Sequence, residues 1–476
     1  MVVSDAVKNK YKSNSVTKHL TLEFPNLGIT VKGEQIHHES LYLKESLLEK
    51  KSIEFVGCIA SKFKVKIKDF YTNIKGERII AYIHTEDTEN EPITLFNGIV
   101  DSALKTSNKE VKEIVAYDEL NTKGNTDVAA WYQSLTFPIT LKDFRDSLFE
   151  RVGLTQVARS LPNDDITINK QYDPKTLKAL NVIKAICQIN GAFGIINRSG
   201  NFEYRILSSE IVSVPYPSTL LFPSTGLFPA SPVIAMSVAE RTSNEVEAET
   251  FSFYKKVSYE EFEVKPVDKV TIRQSENDSG VTYGSGANNY IIQGNMFTYG
   301  LDTGTLETIA SRIYENVQGV MYHPFTSDNN GLPFVECGLD VVSYYMIDFN
   351  SNARSANNSS IKNFYVFNRE LKGIQNLRDS YGANGEEYQT EFITDLQTQI
   401  DVIKQDVRKE VDNAIKEYDF STEFGKYTYD KSNLDSKFDD LNSKFAEQWN
   451  HVLVDSVPTA VQPMTIYYVK GEVVVN

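Results

Sequence analysis

The stretch from Asp173 to Leu207 constrains the fold most, because its first half has the pattern of an amphipathic helix. Asp173 can accept hydrogen bonds from the first free backbone N–H groups, and Pro174 suits the first helical position. Apolar residues then recur at spacings of three and four residues, at Leu180, Ile183 and Cys187. The pattern stops at Asn190-Gly191. It predicts a helix that begins at Asp173 and ends at this pair.

The second half of the same stretch predicts a β-hairpin. Phe193 to Asn197 and Phe202 to Leu207 are short apolar runs, and Arg198-Ser199-Gly200 separates them. Glycine at position 200 supplies the positive φ that a tight turn needs. Alternation places three side chains on one strand face: Phe202, Tyr204 and Ile206. A helix followed by a hairpin is typical of a compact α+β unit and implies no chemistry of its own.

Residues 1 to about 120 alternate as half-buried strands do. Apolar residues occupy every second position in three runs: Leu20, Leu22 and Phe24; Phe63, Val65 and Ile67; Ile79, Ala81 and Ile83. Turn residues separate the strands at Pro25-Asn26, Lys75-Gly76 and Asn97-Gly98. The pattern predicts a small antiparallel barrel or sandwich.

The second of these runs carries a stripe of lysines on its other face, Lys64, Lys66 and Lys68. Such a stripe can contact phosphate groups. A solvated strand face, or an edge protected from wrong pairing, is the commoner meaning of this pattern. We therefore assign the stripe no ligand from the sequence.

Helical patterns begin after Val115 to Asp118. Trp131-Tyr132 is the expected anchor of this region, and Thr140 is the expected N-cap of a helix that Gly153 ends. The inward residues of that helix are Leu141, Phe144, Leu148 and Val152. A proline-rich segment with two Leu-Phe-Pro repeats, residues 215–232, then predicts a stiff connector or, less commonly, a recognition motif.

Strand patterns return in residues 233–373. The predicted strands include Phe251 to Tyr254, Val270 to Arg273, Tyr290 to Ile292, Val341 to Ile347 and Asn363 to Arg369. One helix interrupts them, with Thr305 as its cap and Gly319 as its end. Its apolar stripe is Leu306, Ile309, Ile313 and Val317.

The C-terminal part has a heptad pattern. Its apolar positions follow at steps of three and four: Ile393, Leu396, Ile400, Ile403 and Val407. This seam predicts a short coiled coil, in which isoleucine at both kinds of core position favours a trimer over a dimer. The alternative is a helix lying on its own domain. A second amphipathic helix with Leu434, Phe438, Leu441 and Phe445 and a closing hairpin from Met464 to Val475 complete the chain.

Composition limits the function classes. The 476 residues carry 49 Lys and Arg against 64 Asp and Glu, a net charge of −15, which argues against wrapping nucleic acid, although a local basic patch remains open. Cys58, Cys187 and Cys337 are far apart among apolar neighbours and are expected to be buried free thiols. We find no nucleophile elbow, zinc-binding helix or phosphate-binding loop motif. The sequence therefore predicts no catalytic residue, no metal site and no cofactor.

Targeting signals are also missing from the pattern. The first eleven residues have no apolar core, and the longest apolar stretch, Leu180 to Ile196, is interrupted by Lys184, Gln188 and Asn190. We expect neither a signal peptide nor a membrane span. We expect the protein to be made and assembled in the cytoplasm.

Several stretches together resemble the tail hub proteins of phages of low-GC Gram-positive bacteria. This family is related to the N-terminal part of tail-associated lysins and to the baseplate hubs of contractile tails. The resemblance extends to about residue 405. Its stretches are IVAYDEL (114–120), AICQINGAFGIINRSGNF (185–202), the Leu-Phe-Pro repeats, KPVDKVTIRQ (265–274), YIIQG (290–294) and FNRELKGIQNLRDSY (367–381).

The resemblance implies a fold that is α+β and mostly β, with two tube-like β-barrel domains. The implied divisions are a first barrel at 1–120, an inserted α/β domain at 121–214, the connector at 215–232, a second barrel at 233–385, the heptad helix at 386–420, and a helix with a hairpin at 421–476. In such hubs, three copies give a ring of six barrels that continues the tail tube. A negative lumen is then expected to let DNA slide.

The implied function is structural: a trimeric hub at the tail tip or baseplate of the virion that caps the tail tube and forms the DNA exit channel. The implied partners are two further copies, the distal tail protein and tube, tail fibre or tip proteins, and genomic DNA passing without specific binding. Tyr467, Tyr468 and Val469 of the closing hairpin are candidates for docking a fibre or tip protein. The alternatives are a host-surface adhesin at the tail tip and a cell-wall hydrolase.

Overall fold

The computed structural model describes residues 3–12, 16–48, 57–105, 110–170, 174–207, 210–212, 245–251, 254–275, 278–347, 359–387, 450–454 and 465–469. The chain divides into two compact units, residues 1–402 and residues 403–476. The α-helices of the described ranges are α1 (Asp5–Lys12), α2 (Glu119–Lys123), α3 (Ala129–Ser134), α4 (Leu141–Val152), α5 (Ala179–Ile189) and α6 (Thr303–Val317).

The strands of the first unit fall into two β-rich regions, one before and one after residues 119–212, which are called the helical segment here. Those before it are β1 (Lys18–Phe24), β2 (Ile29–Lys32), β3 (Tyr42–Ser46), β4 (Lys62–Lys68), β5 (Arg78–Thr85), β6 (Ile93–Lys105) and β7 (Val111–Tyr117). Those within it are β8 (Ile139–Thr140), β9 (Thr167–Ile168), β10 (Phe193–Ile196), β11 (Phe202–Arg205) and β12 (Glu210–Val212). Those after it are β13 (Glu245–Phe251), β14 (Lys256–Tyr259), β15 (Lys269–Arg273), β16 (Val281–Gly284), β17 (Asn289–Gln293), β18 (Phe325–Asn330), β19 (Val341–Ile347), β20 (Ser359–Tyr365), β21 (Asn368–Lys372) and β22 (Arg378–Ala383).

One large sheet joins the two β-rich regions. It has eleven strands in the order β14-β18-β22-β21-β3-β4-β7-β6-β5-β1-β2. The predicted alternation is confirmed in β1, β4 and β5, whose apolar residues are buried while the residues between them are half-buried or exposed. One face of the sheet therefore packs on an apolar core that also includes the buried sides of α4, α5 and α6.

The two β-rich regions meet at β3 and β21. These strands pair antiparallel from Tyr42 with Lys372 to Ser46 with Asn368. Their residues are more than 320 positions apart in the sequence, so no local pattern announces the pairing. The pairing makes strands from both regions neighbours in one ladder.

The remaining described sheets are small. They have the orders β12-β13-β19-β20, β16-β15-β17, β10-β11 and β8-β9. None of the sheets formed by the described residues closes into a barrel. Beyond β2, however, Ile36 bridges Ile67 of β4, and the His37 N–H donates to the Lys66 carbonyl over 2.7 Å. This bridge returns the chain from the β2 edge of the large sheet to its centre.

The predicted start of the central helix is wrong, while its end is confirmed. Helix α5 begins at Ala179 rather than beside Pro174. The N–H groups of Leu177 and Ala179 instead donate to the Asp127 side chain over 3.1 Å and to the Thr126 carbonyl over 3.0 Å. Because this neighbouring segment satisfies the first donors, a longer helix is not needed to do so. The hairpin β10–β11 is confirmed, with Gly200 at φ 84°.

The predicted N-cap is confirmed for helix α4 and is wrong for helix α6. Thr140 accepts from the Asp143 N–H over 3.1 Å, as predicted, and Gly153 ends α4 at φ 65°. Helix α6, by contrast, is capped by Asp302 and not by Thr305. Asp302 accepts from both the N–H and the hydroxyl of Thr305, over 3.0 and 2.7 Å, because a carboxylate is the stronger acceptor.

Asn97-Gly98 is not a turn but lies inside the thirteen-residue strand β6. A side chain at Gly98 would collide with the Tyr117 carbonyl oxygen and the Phe96 ring, so glycine is needed there for packing. The predicted strand 363–369 is two strands, β20 and β21. The three cysteines are buried free thiols, as predicted.

The second unit is described only in two strands, β23 (Asn450–Val454) and β24 (Thr465–Val469), which pair in parallel. The described neighbour of β24 is thus not the other arm of the predicted hairpin, and that arm lies outside the described residues. The heptad helix, the second amphipathic helix and the proline-rich connector also lie outside them. Within the described ranges, no helix has both the length and the apolarity needed to cross a membrane.

Candidate functional site

The loop at residues 331–340, here called the junction loop, is held by three arginines from other elements. Arg198, in the turn of the β10–β11 hairpin, donates to the carbonyl oxygens of Pro333 and Val335 over 2.5 and 2.7 Å. Arg205 of β11 donates to the Cys337 carbonyl and, over 2.8 Å, to the Glu336 carboxylate. The junction loop therefore fastens the helical segment through side chains and not through a strand ladder.

Arg369 of β21 is the third of these arginines, and its side chain is fully buried. It donates to the carbonyls of Leu332 and Val335 over 3.0 and 2.6 Å, and to Glu45 of β3 over 3.1 Å. Nε and Nη2 also reach the Asp379 carboxylate of β22 over 2.9 and 3.0 Å. All five guanidinium N–H groups thus have acceptors, which is the condition for burying this charge at low cost.

The pKa values of two carboxyl groups in the junction loop shift in opposite directions, one through neighbouring charge and the other through burial. Burial alone would raise the pKa of Glu336, but the charges of Arg198 and Arg205 outweigh it and lower the pKa to about 2. Burial raises the pKa of Asp340 to about 6, although its carboxylate accepts from the Glu336 N–H over 2.7 Å. The junction is therefore a buried network of ion pairs and hydrogen bonds that holds the loop in place, although the Nε–H groups of Arg198 and Arg205 have no hydrogen-bond partner in it.

A second feature lies on the outward face of the large sheet. The stripe predicted on β4 gains neighbours through strand pairing, since Lys62 is paired with Lys44 of β3 and Lys64 with Tyr42. Tyr42 is in turn paired with Lys372 of β21. We call this surface the lysine face. It comprises Lys44, Lys62, Lys64, Lys66, Lys68 and Lys372 together with Tyr42, Tyr117, Glu113 and Glu370.

The lysines of this face lie over aromatic rings and beside two glutamates. The Lys62 ammonium is 5.4 Å from the centre of the Tyr117 ring, and those of Lys64 and Lys372 are 5.8 and 5.4 Å from the centre of the Tyr42 ring. Glu370 lies 2.6 Å from Lys372 and 4.0 Å from Lys44.

Glu113 is the second glutamate, and it lies 3.6 Å from Lys66. Partial burial opposes the ionisation of Glu370, but the hydrogen bond from Lys372 and the charges of Lys372 and Lys44 lower its pKa. Glu370 is thus a carboxylate shared by two lysines. Six lysines against two glutamates leave the face positively charged.

An open depression of about 390 Å³ adjoins the lysine face, between the sheet and the loop that follows β2. Its walls include Tyr42, Lys64, Lys66 and Glu113 on the sheet and residues 37–40 on the loop. His37 and His38 are both here, but among the described residues no group of three or more His, Cys, Asp or Glu side chains could hold a metal ion. Lys64 and Lys66 in its wall are matched in number by Glu39 and Glu113, so the depression by itself does not favour an anionic group.

The residues predicted from the sequence as an oligomer seam, Ile393, Leu396, Ile400, Ile403 and Val407, lie outside the described residues and remain predictions. Tyr467, Tyr468 and Val469 lie in β24, and their docking role also remains a prediction. The sequence reading missed Arg198, Arg205 and Arg369. A signal for Arg369 was present, because it occupies an inward position of an otherwise apolar alternation, between Phe367 and Leu371.

Comparisons with known proteins complete the description. Neither a family model nor a curated protein sequence matches this chain. One similar crystal structure is a tail protein from Neisseria meningitidis MC58, with 10% identity over 78% of this chain and 98% of that chain and a TM-score of 0.42. A second is the 43 kDa tail protein of prophage MuSo2 from Shewanella oneidensis, with 8% identity over 78% of this chain and 98% of that chain and a TM-score of 0.45. A third is prophage tail protein gp18 from Listeria monocytogenes EGD-e, with 8% identity over 81% of this chain and 99% of that chain and a TM-score of 0.43. All three TM-scores lie below 0.5, so the function proposed below is argued from the sequence resemblance and from the described residues.

Proposed function

We propose that this chain is a structural subunit of a phage tail, namely the hub at the tail tip or baseplate. Three copies cap the tail tube and surround the channel through which DNA leaves. The distal tail protein and the tube lie on one side of the ring, and fibre or tip proteins lie on the other. The chain joins the virion during assembly in the host cytoplasm.

The observation that carries the proposal is the continuity of the eleven-stranded sheet. The resemblance requires two similar β-rich units in each copy, so that three copies give six units around the axis. The pairing of β3 with β21 supports this arrangement, because it joins strands of both β-rich regions in one continuous sheet that can line the channel. The bridge between Ile36 and Ile67 supports closure of the first unit around its own core.

The junction loop supports a structural role as well. Arg205 and Arg369 bind it from the helical segment and from the sheet, and both side chains are almost fully buried. Breaking such a network by removing one partner costs about 3–5 kcal/mol, which opposes movement between these parts. A ring subunit that must keep its shape while DNA passes needs such rigidity.

Three measurements on the purified chain test the proposal against its alternatives. Light scattering should give the mass of three copies, the number that the resemblance to tail hubs implies for a closed, rotationally symmetric ring. A pull-down with Gram-positive cell walls should give no binding, and a turbidity assay on peptidoglycan should show no loss. A monomer that binds walls strongly would support the adhesin, and a monomer that clears peptidoglycan would support the hydrolase.

A further inference from the structure

We propose that the lysine face binds the phosphodiester backbone of double-stranded DNA without reading its sequence. This inference deepens the proposed function by assigning the surface that contacts the DNA, and it rests on that function for its biological role. Its physical basis is local charge. Six lysines face two glutamates on four adjacent strands of a chain whose net charge is −15.

The net charge of the whole chain does not cancel this local excess. Charges farther apart than about 8 Å are largely screened at physiological ionic strength. A phosphate group lying on β4 therefore interacts mainly with the side chains of β3, β4, β7 and β21. The acidity of the chain, which argues against wrapping nucleic acid and on which the expectation of a negative lumen rests, is compatible with one basic contact surface, so the inference replaces a uniformly negative lumen with a mainly negative one.

The dimensions of the lysine face suit a duplex. Residues 62 to 68 of β4 span roughly 20 Å, and four neighbouring strands span roughly 14 Å. A duplex segment of about 20 Å carries about twelve phosphate charges, of which only those facing the sheet are within reach. About four contacts are therefore expected at one time.

The residue types favour a nucleic-acid partner over an acidic protein. Lysine is depleted where proteins bind one another, because its strongly hydrated ammonium is costly to bury. On a DNA-binding surface the ammonium stays near water and acts as a point charge toward phosphate oxygens. Tyr42 and Tyr117 lie beneath the lysine ammonium groups and hold them above the sheet at 5.4–5.8 Å from the ring centres.

The contacts already present on the face keep the binding weak and exchangeable. The side chains of Lys44 and Lys372 are about half exposed, at 52% and 51%, and both use the same carboxylate, Glu370. Exposed ion pairs of this kind are worth about 0–1 kcal/mol, so a phosphate can replace the glutamate at little cost. None of the side chains defining this face is an arginine that could form the two-point hydrogen bonds used to read a guanine. The duplex can therefore shift along the surface.

Fluorescence anisotropy of a labelled duplex of about 30 base pairs, titrated with the full chain at about 50 to 200 mM salt, tests the proposal. In the test variant, Lys44, Lys62, Lys64 and Lys66 are changed to glutamine. In the matched control, Lys123, Lys142, Lys175 and Lys178 of the helical segment are changed in the same way. A third variant changes the four lysines of the test set to arginine. Thermal unfolding of each variant verifies that it folds.

The wild type should bind with an affinity that falls steeply with salt. In the test variant the affinity at low salt should fall at least tenfold, and the slope of log K against log salt should become shallower by about 3–4, at about 0.9 per lost phosphate contact. The control should stay within about twofold of the wild type, and the arginine variant should retain binding.

Four results would overturn the inference: no binding by the wild type at low salt, unchanged binding by the test variant, an equal loss in the control, or a test variant that changes the oligomeric mass but not the DNA affinity. The last result would assign the face to a protein partner.

The binding assay does not require the chain to assemble. A monomer that binds DNA through these lysines would therefore contradict the proposed hub but support the proposed DNA contact.

Discussion

Arg369 and Asp379 form a two-point ion pair in which neither side chain has exposed surface. Nε lies 2.9 Å from Oδ1 and Nη2 lies 3.0 Å from Oδ2. The same carboxylate accepts from the Tyr381 hydroxyl over 2.8 Å and from the Leu332 N–H over 3.0 Å. The pair thus links two strands of the large sheet to the junction loop, close to the place where the two β-rich regions meet.

Replacing Arg369 with methionine should strongly destabilise the chain. The change leaves Asp379 and Glu45 buried without their cation, which costs about 3–5 kcal/mol. Urea unfolding followed by circular dichroism measures the loss. Arg378→Met is the matched control, because Arg378 is the exposed neighbour of Asp379 on the same strand, and it should cost less than about 1 kcal/mol. Equal losses in the two variants would refute the role given to the buried pair.

The junction loop should contribute stability that depends on pH through Glu336. Its pKa is lowered from 4.5 to about 2 in the folded chain, so the ionised carboxylate stabilises the fold above about pH 4.5. This stabilisation is lost as the pH falls toward 2. Glu336→Gln should therefore lower the free energy of unfolding by about 2–3 kcal/mol at pH 7, and by progressively less below pH 4.5.

The control for this prediction is Glu307→Gln, which alters an exposed glutamate on α6. Its free energy of unfolding should stay within about 0.5 kcal/mol of the wild type at every pH. Urea titrations at pH 7, 4 and 3 supply the comparison. A difference between the wild type and Glu336→Gln that does not shrink in acid would contradict the ion pairs with Arg198 and Arg205.

Gly98→Ala should destabilise the large sheet by about 1–3 kcal/mol, because the new methyl group overlaps the Tyr117 carbonyl oxygen and the Phe96 ring. Gly382→Ala is the matched change in another strand of the same sheet, where the nearest atom to the new methyl group, the Phe325 carbonyl oxygen, is 3.4 Å away. Thermal unfolding should show a large shift for the first variant and a small one for the second. Similar shifts would show that Gly98 is not needed for packing.

The heptad seam is tested by placing charges in it. Ile400→Asp together with Ile403→Asp should weaken the proposed trimer, because burying carboxylates in an apolar seam costs several kcal/mol. Thr398→Asp with Gln405→Asp adds the same charge at outward heptad positions and should leave the trimer intact. Sedimentation velocity measures the mass of each species. If the seam variant sediments like the wild type, the coiled coil does not hold the copies together.

Local features of the fold were predictable where a short pattern decides the structure. The alternation of Leu20, Leu22 and Phe24 predicted β1, and Thr140 and Gly153 marked both ends of α4. Cap and periodicity signals depend on residues only a few positions apart. Such signals are complete in the sequence.

Features that depend on distant residues were not predictable in the same way. The residues next to Gly98 do not reveal that the Tyr117 carbonyl oxygen occupies the space that a side chain at position 98 would need. The Asn97-Gly98 pair was therefore interpreted as a turn. The start of α5 was missed because Asp127 satisfies donors that a longer helix would otherwise use. The stripe on β4 was visible, but its partners Lys44 and Lys372 join it only through strand pairing.

The proposed hub is a ring of three copies of this chain at the end of a tail tube. Electron cryo-microscopy of the assembled tail tip would show this ring. We expect three copies coaxial with the tube, each contributing two β-rich units to a ring of six around an open channel. A single copy lying off the axis, or a ring with one β-rich unit per copy, would contradict it.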